Sequence, residues 1–341
     1  MNDSSTAGSL RFGVIGVGII GRQHVARLLS DASPATLIAL ADANPEAART
    51  VAEENGVEAS ASVEELLGRD DIDVVVIAVP SGLHADVTID ALDAGKHVFL
   101  EKPIEVTVEA SDRIREAEQR SGKILSIASQ RRFAAENQFL KTLVSEGKLG
   151  RLTSATVEVP LWRSQEYYDS GAWRGTWKLD GGGALMNQGV HLVDLALWLL
   201  GDVEELFAFT GLLAHERIEV EDTVTATARL RSGAQLTFQA TTAAYGKLPI
   251  RVSLMGDAGS IVTESERVIH FHSRDGLELP EFEAVDIMLE QHLDFVDAVQ
   301  NEHAPLVTSA DARAAVAFIE AVYESGRTGK PVRPAELPVR A

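Results

Sequence analysis

The chain has no cysteine. That excludes disulfides and thiolate metal sites, and it fits a reducing compartment. No apolar run is long enough to span a membrane. The first ten residues are small and polar, without the apolar core of a signal peptide. A cytoplasmic location with no membrane partner is therefore expected, with the first nine or so residues disordered. Basic residues are scarce: 31 Lys and Arg stand against 51 Asp and Glu, a formal net charge of −20. Such an excess argues against nucleic acid and anionic lipid as partners. No Ser or Cys nucleophile constellation and no internal repeat stands out. What is present is an ordinary globular composition, 45% hydrophobic and 24% charged over 341 residues. That is enough for two domains with sizeable cores.

From residue 10 to about 127, short apolar runs alternate with helical patterns. Strands are expected at 10–17, 36–41, 74–79, 97–100 and 124–128. Helices are expected at 18–30, 45–55, 63–67, 84–94 and 108–121. Asn44 and Ser62 are the caps of the second and third helices. This βαβ rhythm predicts a doubly wound parallel sheet, an α/β Rossmann domain over 1–128. Beyond residue 130 the rhythm changes. A helix at 134–146 and a strand at 153–160 precede a Trp/Tyr/Gly-rich stretch. A strongly apolar helix at 184–200 follows. At least six strand-like runs lie between 204 and 271, with a hairpin turn at 230–236. Helices at 286–300 and 310–325 close the chain. The segment 129–341 thus reads as an α+β domain with an open, mostly antiparallel sheet. The last helix is expected to pack back on the first domain, and a cleft is expected between the two.

Gly16-Val17-Gly18-Ile19-Ile20-Gly21 follows an apolar strand and opens a helix. Gly16 permits the tight turn, Gly18 lets backbone approach a pyrophosphate, and Gly21 lets helix pack on strand. Asp42 ends the second strand, 21 residues past Gly21. Its carboxylate suits the ribose hydroxyls of NAD and repels the 2′-phosphate of NADP, so NAD is the expected cofactor. The same carboxylate would equally cap the helix near Asn44 and Pro45. Pro80, Ser81 and His84 follow another buried strand at the same carboxyl edge, where they are assigned to the cofactor.

Glu101-Lys102-Pro103 ends the apolar run His97-Val98-Phe99-Leu100. Pro103 cannot donate to a ladder and biases Lys102 toward extended backbone. Lys102 thus becomes a cation just beyond a strand's carboxyl end, where open parallel sheets bind ligands. Glu101 and Lys102 are placed near the cofactor on that ground, as is Gln130 at the next strand end. Arg131 and Arg132 face cofactor or substrate, or else make ion pairs.

Downstream, a triple glycine, Gly181-Gly182-Gly183, runs into an apolar helix bearing Asn187, His191 and Asp194. Asn187 and His191, four apart, share a face of a regular helix. Polar groups on a buried helix need partners. One reading is a satisfied core pair, His191 with Asp194. The other is catalysis, with the glycines allowing close approach of a ligand or of backbone. Oxidising an alcohol needs a base for the hydroxyl proton and a donor for the developing alkoxide. His191 suits the base, Lys102 the donor, and Asn187 the orientation of a second hydroxyl. Trp162-Arg163 and Tyr167-Tyr168 suit stacking on a sugar ring or capping the nicotinamide, or else filling an interface. His270 and His272 share a strand face, but with no further ligand nearby no metal is expected.

These motifs resemble the glucose-fructose oxidoreductase/inositol dehydrogenase/MocA-like (Gfo/Idh/MocA) family of NAD(P)-dependent sugar and cyclitol dehydrogenases. The matching residues are Gly16–Gly21, Glu101-Lys102-Pro103 and Gly183…Gly189-x-His191-x-x-Asp194. The Trp173-Arg174-Gly175-Thr176-Trp177 stretch is similar to members acting on pyranosides, which adds Trp173 and Arg174 to the substrate side, beside Arg163. The resemblance implies a Rossmann domain and an open sheet, and homo-oligomers (tetramers or dimers) built by sheet-to-sheet contact. It places Lys102 and His191 in the active site. Many members carry aspartate where this chain has Asn187, so a three-member proton relay is not implied here. The expected activity is oxidation of a secondary hydroxyl of a sugar, sugar derivative or cyclitol. The alternatives are a reductase of a keto- or anhydro-sugar and a catalytically silent NAD-sensing regulator.

Overall fold

The computed structural model describes residues 9–246 and 248–336, so nearly all of the segment expected to be disordered lies outside the described residues. The chain forms two compact units, and both are discontinuous in sequence. The first takes the chain up to Ile104, then Ala110–Ala128 and Met288–Ser309; the second takes Glu105–Glu109, Ser129–Ile287 and the segment from Ala310 onward.

In the first unit six parallel strands, β1 (Arg11–Ile15), β2 (Thr36–Ala41), β3 (Glu58–Ala59), β4 (Val74–Ile77), β5 (His97–Leu100) and β6 (Leu125–Ile127), lie in the order β3-β2-β1-β4-β5-β6. Register sets their carboxyl ends level: Ile15 pairs with Ala41 and with Ile77, and Ile77 pairs with Leu100. Gly16, Asp42, Ala78 and Glu101 therefore all leave the sheet at one edge. The helices between the strands are α1 (Ile19–Leu28), α2 (Pro45–Asn55), α3 (Val63–Leu67), α4 (His84–Asp93) and α5 (Val108–Ser121). Asn44 caps α2 by accepting from the Glu46 and Ala47 amides, and Ser62 caps α3 by accepting from Glu65. Each leaves fewer orphan amides at its helix start.

The core of this unit joins Phe12, Val14, Val76 and Phe99 to Phe295 and Val296. The last two belong to a later helix, α9, given below. Phe295 meets Phe12 and Phe99 edge-on, with ring centroids 6.5 and 5.5 Å apart.

The second unit contains α6 (Ala135–Ser145), β7 (Leu152–Pro160) and the short α7 (Gln165–Asp169). A π-helix (Ala184–Gly189) then runs directly into α8 (Val190–Leu200). Six further strands follow: β8 (Val203–Gly211), β9 (Thr223–Leu230), β10 (Gln235–Thr241), β11 (Arg251–Gly256), β12 (Gly259–Glu264) and β13 (Arg267–Ser273). With β7 they form one sheet in the order β13-β12-β11-β7-β10-β9-β8, antiparallel except for the β7–β10 pair. Along β9 and β10 burial alternates residue by residue, as a half-covered sheet requires.

The last two helices are α9 (Ile287–Gln300) and α10 (Ser309–Thr328). The helix that returns to the first unit is α9. The last helix, α10, groups with the second unit and packs Phe318 on Phe238 of β10, at 5.9 Å between ring centroids. Among the described residues no helix is long and apolar enough to cross a membrane.

Candidate active site

In the first unit the glycine loop is built by close contact. Gly16 has φ of +94°, and a Cβ there would lie 2.5 Å from the Ala78 carbonyl oxygen. A Cβ on Gly21 would lie 1.9 Å from the Gly16 carbonyl oxygen, so α1 can approach the loop only through glycine. At Gly18 the same construction meets nothing within 4 Å. Gly18 is also the N-cap of α1 and offers no side-chain acceptor to the helix's first amides. Open space facing uncapped amides at the positive end of a helix dipole fits a pyrophosphate. Ile19 is 76% exposed at the same tip, and Ile20 is half-buried.

Asp42 accepts from the Val17 amide at 2.9 Å and from the Asn44 amide at 2.8 Å. The capping side chain of α2 is thus Asn44, and Asp42 ties the glycine loop to the end of β2. Each carboxylate oxygen has a second lone pair for a ribose hydroxyl. The loop residues present therefore fit NAD.

Pro80 precedes a short 3₁₀ turn that begins at Ser81. His84 is buried, and both its ring nitrogens face backbone carbonyls, Pro103 at 2.7 Å and Val79 at 3.0 Å. Burial holds its pKa below the ordinary imidazole value, against the pull of those carbonyls. His84 thus ties the end of β4 to the turn after β5. The Lys102–Pro103 peptide in that turn is cis, and Lys102 is half-buried.

Glu101 is buried and points inward. One oxygen meets His24 Nε2 at 2.8 Å and the other accepts from the Lys102 amide at 3.2 Å. His24 Nδ1 in turn meets His292 Nε2 at 2.9 Å, and the two rings stack at 5.1 Å. A buried line of three titratable groups therefore runs from α9 through α1 to the backbone of Lys102. Sequence reasoning missed His24 and His292. The signal was available at His24, a polar residue on the face of α1 that also carries Gly21, Val25 and Leu28.

In the second unit the triple glycine is spent on packing against protein. A Cβ on Gly181 would lie 2.4 Å from Val106 Cβ, one on Gly182 2.0 Å from the Tyr323 hydroxyl, and one on Gly183 1.9 Å from the Glu221 carbonyl oxygen. Of the two uses foreseen for the glycine run, the neighbours it meets are protein atoms. Glu221 accepts from the Gly183 and Leu185 amides at 2.9 and 2.8 Å and from the Tyr323 hydroxyl at 3.1 Å. Burial pushes its carboxyl up to about 7, although those hydrogen bonds oppose the shift.

The single α-helix expected over 184–200 is instead a π-helix followed by an α-helix. Asn187 lies before the change of pitch and His191 after it, so their four-residue spacing is not regular α spacing. Such π segments occur often at functional sites. Asn187 Nδ2 donates to Asp180 Oδ1 at 2.5 Å, and Gln188 Nε2 donates to Asn187 Oδ1 at 3.2 Å. Asp180 is buried and also accepts from the Gly175 amide at 2.8 Å. A carboxylate therefore reaches Asn187 from seven residues upstream. His191 is half-buried, as is Gln130 at the start of its own 3₁₀ turn.

Asp194 pairs with Arg132 through two hydrogen bonds of 2.8 and 2.6 Å and also accepts from Ser129. Asp194 is thus held by a buried Arg132 fork. Arg131 pairs with Glu266. Among the described residues no group of three or more His, Asp or Glu is arranged to hold a metal.

Arg163 donates to the Trp162 carbonyl at 3.1 Å and to Gln188 Oε1 at 2.7 Å. Arg174 donates to the Tyr167 hydroxyl at 2.8 Å. Its guanidinium lies over the Trp173 and Tyr167 rings, 4.5 Å from each centroid. Three of the sequence-assigned substrate residues, Arg163, Arg174 and Asn187, are thus joined through Tyr167 and Gln188.

A parallel sheet with a glycine loop fitted to a dinucleotide, followed by a mixed-sheet unit, is the architecture of a nicotinamide-dependent oxidoreductase. Residues 10–129 match the oxidoreductase family GFO_IDH_MocA with its NAD-binding Rossmann fold, and residues 137–262 match the GFO/IDH/MocA C-terminal domain. The chain is 30% identical to myo-inositol 2-dehydrogenase of Thermotoga maritima over 268 residues, 76% of each chain. It is 29% identical to scyllo-inositol 2-dehydrogenase (NAD(+)) of Bacillus subtilis over 346 residues, 95% of this chain and 96% of that one. Among solved structures it resembles the WlbA dehydrogenase from Bordetella pertussis in complex with NADH and UDP-GlcNAcA. The TM-score is 0.87 at 32% identity, covering 97% of this chain and 100% of that one. The chain belongs to the Gfo/Idh/MocA oxidoreductase family and is an NAD-dependent enzyme of the sugar and polyol type.

Proposed function

We propose that the protein oxidises a secondary hydroxyl of a sugar, sugar derivative or cyclitol to the ketone, with His191 as base and Lys102 stabilising the alkoxide. NAD, when bound, supplies the hydride acceptor. The observation that carries this reading is the open, uncapped approach at Gly18 in a chain of this family. Gly16, Gly18, Ile19, Ile20 and Gly21 take the pyrophosphate, and Asp42 takes the adenosine ribose. Pro80, Ser81 and Gln130 border the rest of the cofactor. His84 and Glu101 act at one remove, by fixing the backbone on either side of Lys102.

His191 accepts the hydroxyl proton as negative charge grows on the substrate oxygen, and the Lys102 ammonium meets that charge. Asn187 presents its amide to a second hydroxyl, its orientation set by Asp180. Asp180 thereby supplies the carboxylate that the residue at 187 itself lacks. The inositols in the relatives' names, and the UDP-GlcNAcA bound to the WlbA dehydrogenase, are consistent with a ring bearing several hydroxyls.

Purified protein with NAD and a panel of monosaccharides, glycosides, anhydrosugars and inositols should give growth of the reduced-cofactor absorbance. Lys102→Ala and His191→Ala should each lower kcat by about 10²–10⁴, while NAD still binds by calorimetry. Normal turnover by both variants would overturn the assignment.

A further inference from the structure

Among the described residues, two arginines of the second unit meet one tyrosine ring without a carboxylate partner. Arg131, Arg132, Arg217 and Arg251 each pair with a carboxylate. Among the described residues Arg163 and Arg174 pair with none, in a chain whose net charge is −20. Both guanidiniums lie against the ring of Tyr167, 5.1 and 4.5 Å from its centroid. The Nε of each is buried without a hydrogen-bond partner. The partners they do have are neutral oxygens: the Trp162 carbonyl, Gln188 Oε1 and the Tyr167 hydroxyl. That hydroxyl accepts from both Arg174 and Gln188 (3.0 Å), which leaves its own hydrogen to donate to a further acceptor.

The group is braced from behind. Arg163 N donates to the Thr242 carbonyl at 2.9 Å, and the Arg163 carbonyl meets His215 Nε2 at 2.8 Å. His215 Nδ1 is held by the buried Asp222 at 3.0 Å. Gln188 connects the same group to Asn187.

We propose that Arg163, Arg174 and Tyr167 form a subsite for an oxyanion on the substrate, so that the ring oxidised is an acidic sugar bearing a carboxylate or a phosphate. Two guanidiniums on one tyrosine ring, neither paired with a carboxylate, leave positive charge there that a ligand oxyanion offsets. A guanidinium fork matches the paired oxygens of a carboxylate or phosphate in a way that a neutral hydroxyl does not. A neutral polyol leaves the pair uncompensated, so discrimination comes from both the attraction and its absence. The proposal rests on the dehydrogenase reading above and narrows its substrate class.

The test compares matched pairs: D-glucose with D-glucuronate and D-glucose 6-phosphate, and D-galactose with D-galacturonate. With NAD and wild-type enzyme, kcat/KM for at least one acidic member should exceed that of its neutral partner by about tenfold or more. The arm that wins distinguishes carboxylate from phosphate. Arg163→Gln and Arg174→Gln should each shrink that acidic-to-neutral ratio at least tenfold, and Arg174→Lys should restore only part of it. Neutral sugars turned over as well as every acidic partner would overturn the proposal, as would an unchanged ratio in both variants. Calorimetry of the same ligands with the NADH-loaded protein reads the subsite without turnover. Acid binding weakened tenfold by Arg174→Gln supports the subsite even where no sugar is oxidised and the dehydrogenase reading fails. Equal or absent binding of acid and neutral sugars overturns it.

Discussion

Glu221 holds its proton because it is buried, and this has a consequence for stability. The ordinary value of such a carboxyl is 4.5, and the folded chain raises it to about 7. Between those values the folded state binds more protons than the unfolded state, so stability falls as pH rises from about 4.5 to 7 and is level above. Glu221→Gln keeps an acceptor for the Gly183 or Leu185 amide and removes the titration. The stability advantage of wild type over this variant should therefore shrink by on the order of 2–3 kcal/mol across that window. Urea melts at pH 5, 6, 7 and 8 would show it, and parallel curves for the two proteins would rule it out. At this scale the sequence was legible where partners are near in the chain. Asn44 and Ser62 reach amides two or three residues ahead, so their caps follow from local pattern. Asp194 and Glu221 were not legible in this way. Their partners Arg132 and Gly183 lie 62 and 38 residues away, and only the fold brings them together.

The segment from Gly181 to Leu200 shows what periodicity conveys and what it misses. Its apolar content marked a buried helix, which is correct. Pitch is not written in apolar content, so the π-helix over Ala184–Gly189 was read as α. The glycines before it were legible as a place of close approach, but not what approaches. Gly183→Ala tests the answer at this scale. Its Cβ would have to share space with the Glu221 carbonyl, a backbone atom that cannot swing aside. Overpacking of that kind should cost about 1–3 kcal/mol or more. Gly68→Ala, whose Cβ would meet nothing nearer than 3.4 Å, should stay within about 1 kcal/mol of wild type. Denaturant unfolding of both variants decides it, and equal stability would mean that the turn yields. The strands fared better: the six runs expected between 204 and 271 are β8 to β13. The two-residue β3 was too short to leave a pattern.

For the whole molecule, alternation of strand and helix made the first sheet and its binding edge legible, because each βαβ unit is local. The share of that unit drawn from the far end of the chain was not legible. Helix α9 lies some 160 residues past β6, and its amphipathic pattern does not say which sheet it covers. Phe295 and Val296 nonetheless complete the core around Phe12 and Phe99, and His292 holds His24. A fragment ending at residue 128 should therefore lack a cooperative melt and bind NAD far more weakly than the intact chain. Circular dichroism and calorimetry on the fragment check this, and a fragment as stable as the full chain would refute it.

The same interleaving constrains how the protein is made. Chains usually fold from the amino end as they emerge from the ribosome. Here the sheet that carries the glycine loop emerges early, yet its covering helix α9 is translated only after nearly the whole second unit. At about 5–20 residues per second, the exposed faces of Phe12 and Phe99 wait roughly 10 to 40 s for Phe295. During that interval the nascent first unit presents bare apolar surface of the kind that holdase chaperones bind.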